Sequence, residues 1–340
     1  MESMVDIESL AAWMTTVGLG TGPIVDATLL AGGTQNILLR FGRDGRDYVL
    51  RRPPVHARPN SNETMRREAR VLRALAGTDV PHAALIAGCG DEGVLGAAFY
   101  LMEPIDGFNP VGALPELHAS SAAIQHRMGL SLVDGIAALG ALDHVALGLS
   151  DFGKPDKFLD RQVNRWRTQL GGYFEFSGWT GTQALPDVAH VGEWLERYQP
   201  ESFRPGIMHG DYHLANVMYR NDGPDVAAII DWELATIGDP LLDLGWVLAT
   251  WPDAEHESTV PITPWTGFPT APELIARYAE RSDRDLSAID WYLVLACYKL
   301  GILLEGTYAR ACSGKAPVDV GERLHGRAIA LFERADRLTH

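Results

Sequence analysis

Lysine is nearly missing from this chain. Lys154, Lys157, Lys299 and Lys315 are the only four in 340 residues, so the basic residues of the first 153 are all arginine. Cysteine is scarce too. Cys89, Cys297 and Cys312 are odd in number and lack metal-type spacing, which excludes a disulfide scaffold and fits reduced thiols in a cytosol. Positive charge is in deficit: 29 Lys and Arg against 44 Asp and Glu leave a net charge of -15. A polynucleotide partner needs a basic stripe to meet its phosphates, so nucleic acid is excluded. Long apolar runs are missing. The greasiest segment, Trp291 to Leu304, is interrupted by Lys299. It falls short of the roughly 20 residues of a spanning helix, so no membrane partner is expected and the segment reads as core. Glu2 and Asp6 stand where a signal peptide needs a basic region, and a cytoplasmic location is expected. What remains is an ordinary globular composition, 46% apolar and 21% charged, long enough for two lobes.

The order of patterns gives an α+β chain. Residues 6–18 read as a leading helix. Residues 25–54 read as three strands, separated by Gly32-Gly33-Thr34 and by the hairpin turn Arg43-Asp44-Gly45-Arg46, and ended by Pro53-Pro54. A helix over 62–76 follows, with Met65, Ala69, Leu72 and Ala76 on one face. Another strand runs toward Pro104. The expected architecture is bilobal: an antiparallel sheet lobe over 1–104 and a larger, mostly helical lobe over 105–340. Helical patterns recur at about 118–142, 155–171, 186–199, 239–250, 271–281, 286–310 and 318–337, with an irregular, proline-rich loop over 252–270.

One stretch between those helices carries chemistry. From Met208 to Trp246 the chain places Asp211, then Asn216, then Asp231 at the end of the short apolar strand VAAIID. Phosphoryl transfer asks for positioning and charge neutralisation. Asp211 can orient an acceptor hydroxyl. Asn216 and Asp231 offer hard oxygens suited to Mg²⁺ on the phosphates of a nucleoside triphosphate. Asp239-Pro240 reads as a helix start.

These residues resemble a known family. His209-Gly210-Asp211 with Asn216, then Ile230-Asp231-Trp232-Glu233, is similar to the protein-kinase-like fold of aminoglycoside phosphotransferases and choline kinases. The longer patterns IDWELATIGDPLLDLGW and GLSDFGKPDKFLDRQVNRW resemble the branch that in some eukaryotes is joined to an acyl-CoA dehydrogenase. The likeness runs from about residue 25 to 335. It implies a small-molecule kinase that moves the γ-phosphate of ATP or GTP to a hydroxyl, with the nucleotide in a cleft between the lobes. Asp211 would be catalytic, Asn216 and Asp231 the metal ligands. Gly32, Gly33 and Thr34 would turn over the phosphates. Met102 would line the back of the nucleotide pocket, and Glu103 and Ile105 would meet the adenine edge, Ile105 as N–H donor because Pro104 has none. Glu68 would pair with a strand cation, and Asp243 would pin the catalytic loop. His209 reads as an anchor of that loop.

The strand cation departs from the kinase pattern. Protein kinases place a Lys there; Arg51 occupies the position here, on one strand face with Val49, and Arg52 points the other way. The exchange is not conservative, because guanidinium is planar and longer. Two other functions compete: a catalytically silent nucleotide binder, and a metal hydrolase built on His209, Asp211 and His213. The acceptor stays open. A polycationic acceptor would need converging carboxylates, with Glu255, Glu257, Asp290 and Glu305 available, while Trp166, Tyr173, Trp179 and Trp232 are aromatic candidates for its walls. Oligomeric state is not readable.

Overall fold

The computed structural model describes residues 5–30, 36–54 and 59–340, and the chain divides into two compact units. The first takes in Met1–Phe108 together with Met218–Asn221 and Val226–Ala235; the second takes in Asn109–Val217, Asp222–Asp225 and Thr236–His340.

The first unit begins with α1 (Ile7–Thr16), started by the Asp6 side chain accepting the Ser9 N–H. Strands β1 (Val25–Leu29), β2 (Ile37–Arg43) and β3 (Arg46–Arg52) follow. Asp44 and Gly45 turn β2 into β3 with φ of 48° and 76°, the paired positive values that a tight hairpin needs. Next come α2 (Ser61–Leu75), β4 (Leu85–Cys89), the single turn α3 (Glu92–Leu95) and β5 (Phe99–Met102). The five strands form one antiparallel sheet in the order β1-β2-β3-β5-β4. Its core includes Leu10, Met14, Leu39, Phe41, Leu50, Phe99 and Leu101. Arg43 is only 2% exposed, and its guanidinium fastens α1 to the sheet through Ala11 O (2.8 Å), Thr15 Oγ1 (2.8 Å) and Gly22 O (2.9 Å). Strand β4 was not expected from the sequence. It is short, contains Gly88, and lacks the alternation that marks a half-buried strand.

The second unit is helical. Strand β6 (Gly112–Ala113) and the turn α4 (Glu116–Ala119) lead into α5 (Ala122–Ala141). The helix expected over 118–142 is thus broken, because Ser121 caps a new start by accepting the Ile124 N–H. Helices α6 (Gln162–Gly172) and α7 (Val188–Arg197) follow. The pattern read as helical from 155 begins at 162; Lys157 has φ +51° and Pro155 precedes it, which a helix cannot use. Strand β7 (Gly206–Met208) pairs antiparallel with the later β10 (Thr236–Gly238); the strands between them in sequence, β8 (Val217–Tyr219) and β9 (Val226–Ile229), form a two-stranded ribbon that belongs almost wholly to the first unit. Then come α8 (Leu241–Thr250), β11 (Ile262–Thr263) parallel to β6, α9 (Ala271–Arg281), α10 (Ile289–Cys312) and α11 (Val318–Leu338). The apolar run of Trp291–Leu304 lies on α10, most of it buried; among the described residues no helix is long and apolar enough to cross a membrane. Helix α8 packs on α10 at Gly245, where a Cβ would fall 2.6 Å from Tyr292 O.

Candidate active site

Asp211 is held from several directions within the second unit. The loop after β7 turns at Gly210, whose φ of +87° favours glycine. Asp243, in the first turn of α8, grips that loop: Oδ2 accepts the His209 N–H at 2.6 Å and Oδ1 the Gly210 N–H at 2.8 Å. Burial pushes the Asp243 carboxyl up to about 6, against these two donors and the charge of Lys299. Buried His209 accepts the Asp211 N–H on Nδ1 at 3.3 Å. The Asp211 carboxylate accepts Trp246 Nε1–H on Oδ1 (2.9 Å) and Asn216 Nδ2–H on Oδ2 (3.0 Å), and His213 Nε2 stands 3.5 Å from Oδ1. His213 Nδ1 accepts the Ala215 N–H, so in the neutral ring Nε2 carries the proton and faces Asp211. Burial raises the Asp211 carboxyl, but His213, His209 and Lys299 outweigh it and hold the group well below the ordinary carboxylate range.

Trp246 and Lys299 were not read as site residues. Lys299, from α10, donates Nζ–H to Gly210 O at 2.9 Å and stands 4.1 Å from the centre of the Trp246 ring, a cation–π contact. Burial lowers its ammonium to about 8, against the pull of Asp211 and Asp243. No sequence spacing links positions 211, 246 and 299; the one available signal was a lysine inside an apolar helix of a chain with few lysines.

In the first unit, Arg51 sits on β3 opposite Tyr100 on β5. Its Nε lies 3.0 Å from Glu68 Oε2, and its Nη2 donates to Asp231 Oδ1 at 2.6 Å. Tyr100 O–H donates to Glu68 Oε2 at 2.8 Å. Glu68 is 0% exposed and Arg51 9%. Burial pushes Glu68 up to about 7, while Arg51 and the Tyr100 hydroxyl pull it down. Arg51 thus meets two carboxylates, Glu68 and Asp231. Arg52 turns back on Pro53 O at 3.2 Å. Asp231 follows β9, which is anchored by Ile229 N–H to Pro81 O (2.9 Å) and by Trp232 Nε1–H to Ile229 O (3.1 Å). Its φ of +66° is left-handed, a strained geometry for a residue with a side chain.

Val49 is buried and pairs with half-buried Met102 across β3 and β5. The Glu103 N–H is taken by Ala84 O at 2.9 Å, whereas the Ile105 N–H has no acceptor among the described residues. Gly32, Gly33 and Thr34 lie outside the described residues.

Asn216, in the second unit, and Asp231, in the first, each carry an oxygen of the kind a hard cation takes. Asn216 points Nδ2 at Asp211, giving 2.9 Å to its main-chain oxygen, which leaves Oδ1 to act as a ligand. Asp231 keeps Oδ2 clear of its Arg51 bond. Both are oxygens, as Mg²⁺ prefers. The hydrolase arrangement is not formed: His209, Asp211 and His213 do not bring their ligand atoms together, and the described group that does, His190 with Asp336 and His340, involves none of them.

A cavity of about 240 Å³ opens beside Asp211. Val111, Trp246, Val260, Leu300 and Leu304 give it apolar walls, Arg327 is its one strong cation, and Asp211 its one carboxylate. The carboxylates considered for a polycationic acceptor go elsewhere. Glu305 is buried against Trp179 Nε1 and His325 Nδ1, both at 2.7 Å, Glu255 pairs with Arg337 at 2.7 Å, Asp290 is exposed on α10, and Glu257 lines a different cavity. Trp166, Tyr173, Trp179 and Trp232 are core residues, none more than 9% exposed.

The family model described as a phosphotransferase enzyme family matches residues 26–292. Acyl-CoA dehydrogenase family member 11 of Rattus norvegicus is 30% identical over 331 residues, which is 91% of this chain and 40% of that protein. The chain therefore spans well under half the length of this curated relative. A crystal structure of a proposed aminoglycoside phosphotransferase from Ralstonia eutropha superposes with a TM-score of 0.81 at 31% identity, covering 98% of this chain and 99% of the other. A thermostable mutant of aminoglycoside phosphotransferase APH(4)-Ia, in ternary complex with ADP and hygromycin B, shares the fold at 19% identity, with a TM-score of 0.58 over 95% of this chain and 97% of its own. A loop pinned by Asp243, a buried Arg51-Glu68 pair and a family match across both thus converge: the chain belongs to the phosphotransferase enzyme family and has its kinase-like fold.

Proposed function

We propose that the protein is a small-molecule kinase that transfers the γ-phosphate of ATP or GTP to a hydroxyl group. The observation that carries this reading is Asp211, an ionised carboxylate fixed by Trp246 and Asn216 on the wall of a cavity. With a lone-pair direction still open, it can accept the hydrogen bond of an incoming hydroxyl and aim the oxygen. A carboxylate held this far below its usual range is a weak base. Its work is therefore orientation first, with the proton arriving as the new P–O bond forms, which suits a loose phosphoryl-transfer transition state. Asn216 Oδ1 and Asp231 Oδ2 would hold Mg²⁺, which when bound neutralises charge on the phosphate oxygens. The nucleotide is assigned to residues 1–104, with Val49, Met102, Glu103 and the open Ile105 N–H around the base and Gly32, Gly33 and Thr34 near the phosphates. Arg51 and Glu68 act through Asp231, whose carboxylate they fix. His209 and Asp243 shape the loop, and residues 105–340 take the acceptor, in a cytoplasmic setting that keeps the thiols reduced.

The cavity walls favour an acceptor with an apolar body over a polycation. The match to an acyl-CoA dehydrogenase family member adds hydroxyacyl thioesters to the acceptors worth trying. The test is transfer from γ-labelled ATP and GTP to a panel of aminoglycosides, amino alcohols and hydroxyacyl-CoAs, with Asp211→Ala as control. Label should move to one class and fall by about 10²-fold or more in the variant while its far-UV circular dichroism is unchanged. Nucleotide binding with no transfer to any acceptor would make the protein a silent binder, and near-normal transfer by folded Asp211→Ala would remove Asp211 from the chemistry.

A further inference from the structure

Helix α11 (Val318–Leu338) carries two arginines that no described residue pairs with. Arg334 bonds to Trp251 O at 2.9 Å and pairs with Asp253 at 3.1 Å, and Arg337 pairs with Glu255 at 2.7 Å. About two to four turns earlier on the same helix, Arg323 and Arg327 have neither a hydrogen bond nor an ion pair among the described residues. They are four residues apart and so share a face, an arrangement in which like charges repel. Both line a second cavity, of about 350 Å³, whose unpaired carboxylate is Glu257 alone, since Glu255 already serves Arg337. One carboxylate cannot balance two guanidiniums. Arg327 and Thr259 also line the cavity beside Asp211, so the two cavities meet at these residues.

We propose that Arg323 and Arg327 form an oxyanion subsite for the acceptor, so that the substrate is a hydroxylated chain with a carboxylate or phosphate head. The reacting hydroxyl lies at Asp211, the hydrocarbon lies along Trp246, Leu300 and Leu304, and the anionic head reaches the arginines. Guanidinium groups suit such a head because their N–H donors match two oxygens at once. The role of Asp211 in this scheme rests on the proposed kinase reading; the anion subsite itself does not.

The test is titration calorimetry on the full chain with ω-hydroxy carboxylates, ω-hydroxy phosphate monoesters and the α,ω-diols of equal length, followed by γ-labelled ATP transfer to the same compounds. Wild type should bind at least one anionic series about tenfold or more tighter than the diols, and Arg323→Gln/Arg327→Gln should erase that preference. In transfer, the loss should fall on KM and leave kcat for the anionic acceptor within a few-fold, with partial recovery in Arg327→Lys; a role in the phosphoryl transfer itself would lower kcat. Anion preference without transfer leaves the subsite standing and counts against placing the reacting hydroxyl of these chains at Asp211. Equal binding of diols and anions overturns the subsite, and so does binding of acetate or inorganic phosphate as tight as that of the chains, which would mark an independent anion site.

Discussion

Burial opposes the charge of Lys299, and two carboxylates, Asp211 and Asp243, support it. The balance leaves its ammonium titrating at about 8 in the folded chain against 10.5 for an ordinary lysine. Between those values the unfolded chain binds more protons than the folded one, so the Lys299 contribution makes folding more favourable as pH rises through this window. Activity should run the other way. The ammonium donates to Gly210 O, and its charge helps keep Asp211 ionised. Between about pH 7.5 and 9.5, wild-type kcat is expected to fall while the urea midpoint gains a rising contribution that Lys299→Met lacks. Parallel pH profiles of kcat and of urea midpoint for the two proteins check this; an alkaline decline of kcat that survives in Lys299→Met would sink it. Residue 299 also shows where sequence reading stops. Asp211, Asn216 and Asp231 were legible because their spacing along the chain is itself the pattern. Trp246, Lys299 and Arg327 reach the same cavity or loop from three separate helices, and nothing local announces that meeting.

At the scale of elements, β3, β5 and α2 are joined by a polar cluster and not only by apolar packing. Arg51, Tyr100 and Glu68 come from these three, and removing either charge breaks the buried pair. Glu68→Ala takes one carboxylate from the buried Arg51 guanidinium, and breaking a buried pair in this way costs about 3–5 kcal/mol. Urea unfolding should report that loss, and a change below about 1 kcal/mol, the level of a surface pair, would mean the pair is solvated in solution. The elements themselves divide by how local their cause is. The β2–β3 hairpin was legible from Asp44-Gly45, and α9 and α11 from helical spacing. Strand β4 was not, since it lies at the sheet edge and is fixed by pairing with β5. The break at Ser120–Ser121 was hidden because the apolar spacing continues across a cap.

At the scale of the molecule, a ligand that binds only the folded chain stabilises it by mass action. Mg²⁺–nucleotide at about a hundredfold over its Kd adds ~2.7 kcal/mol. For a chain of this size that is an upward Tm shift of about 4 °C. Thermal denaturation of wild type with Mg²⁺–ATP and Mg²⁺–GTP should show it for the preferred nucleotide. Chelation of the metal should reduce the shift, Asp231→Ala should lose its metal-dependent part, and Asp211→Ala should keep it. Equal shifts with and without magnesium would count against the ligand roles of Asn216 and Asp231.

The first unit is not one continuous stretch of chain. It is completed by Val226–Ala235, and with that segment comes the Asp231 carboxylate that Arg51 grips. A ribosome adding about 5–20 residues per second reaches that segment roughly 6–25 s after Phe108. During that interval the nascent sheet holds its arginine without one of its two acidic partners, and the strand that leads to Asp231 does not yet exist. Birth order thus delays completion of the first unit, and a messenger pause before codon 235 would lengthen the exposure.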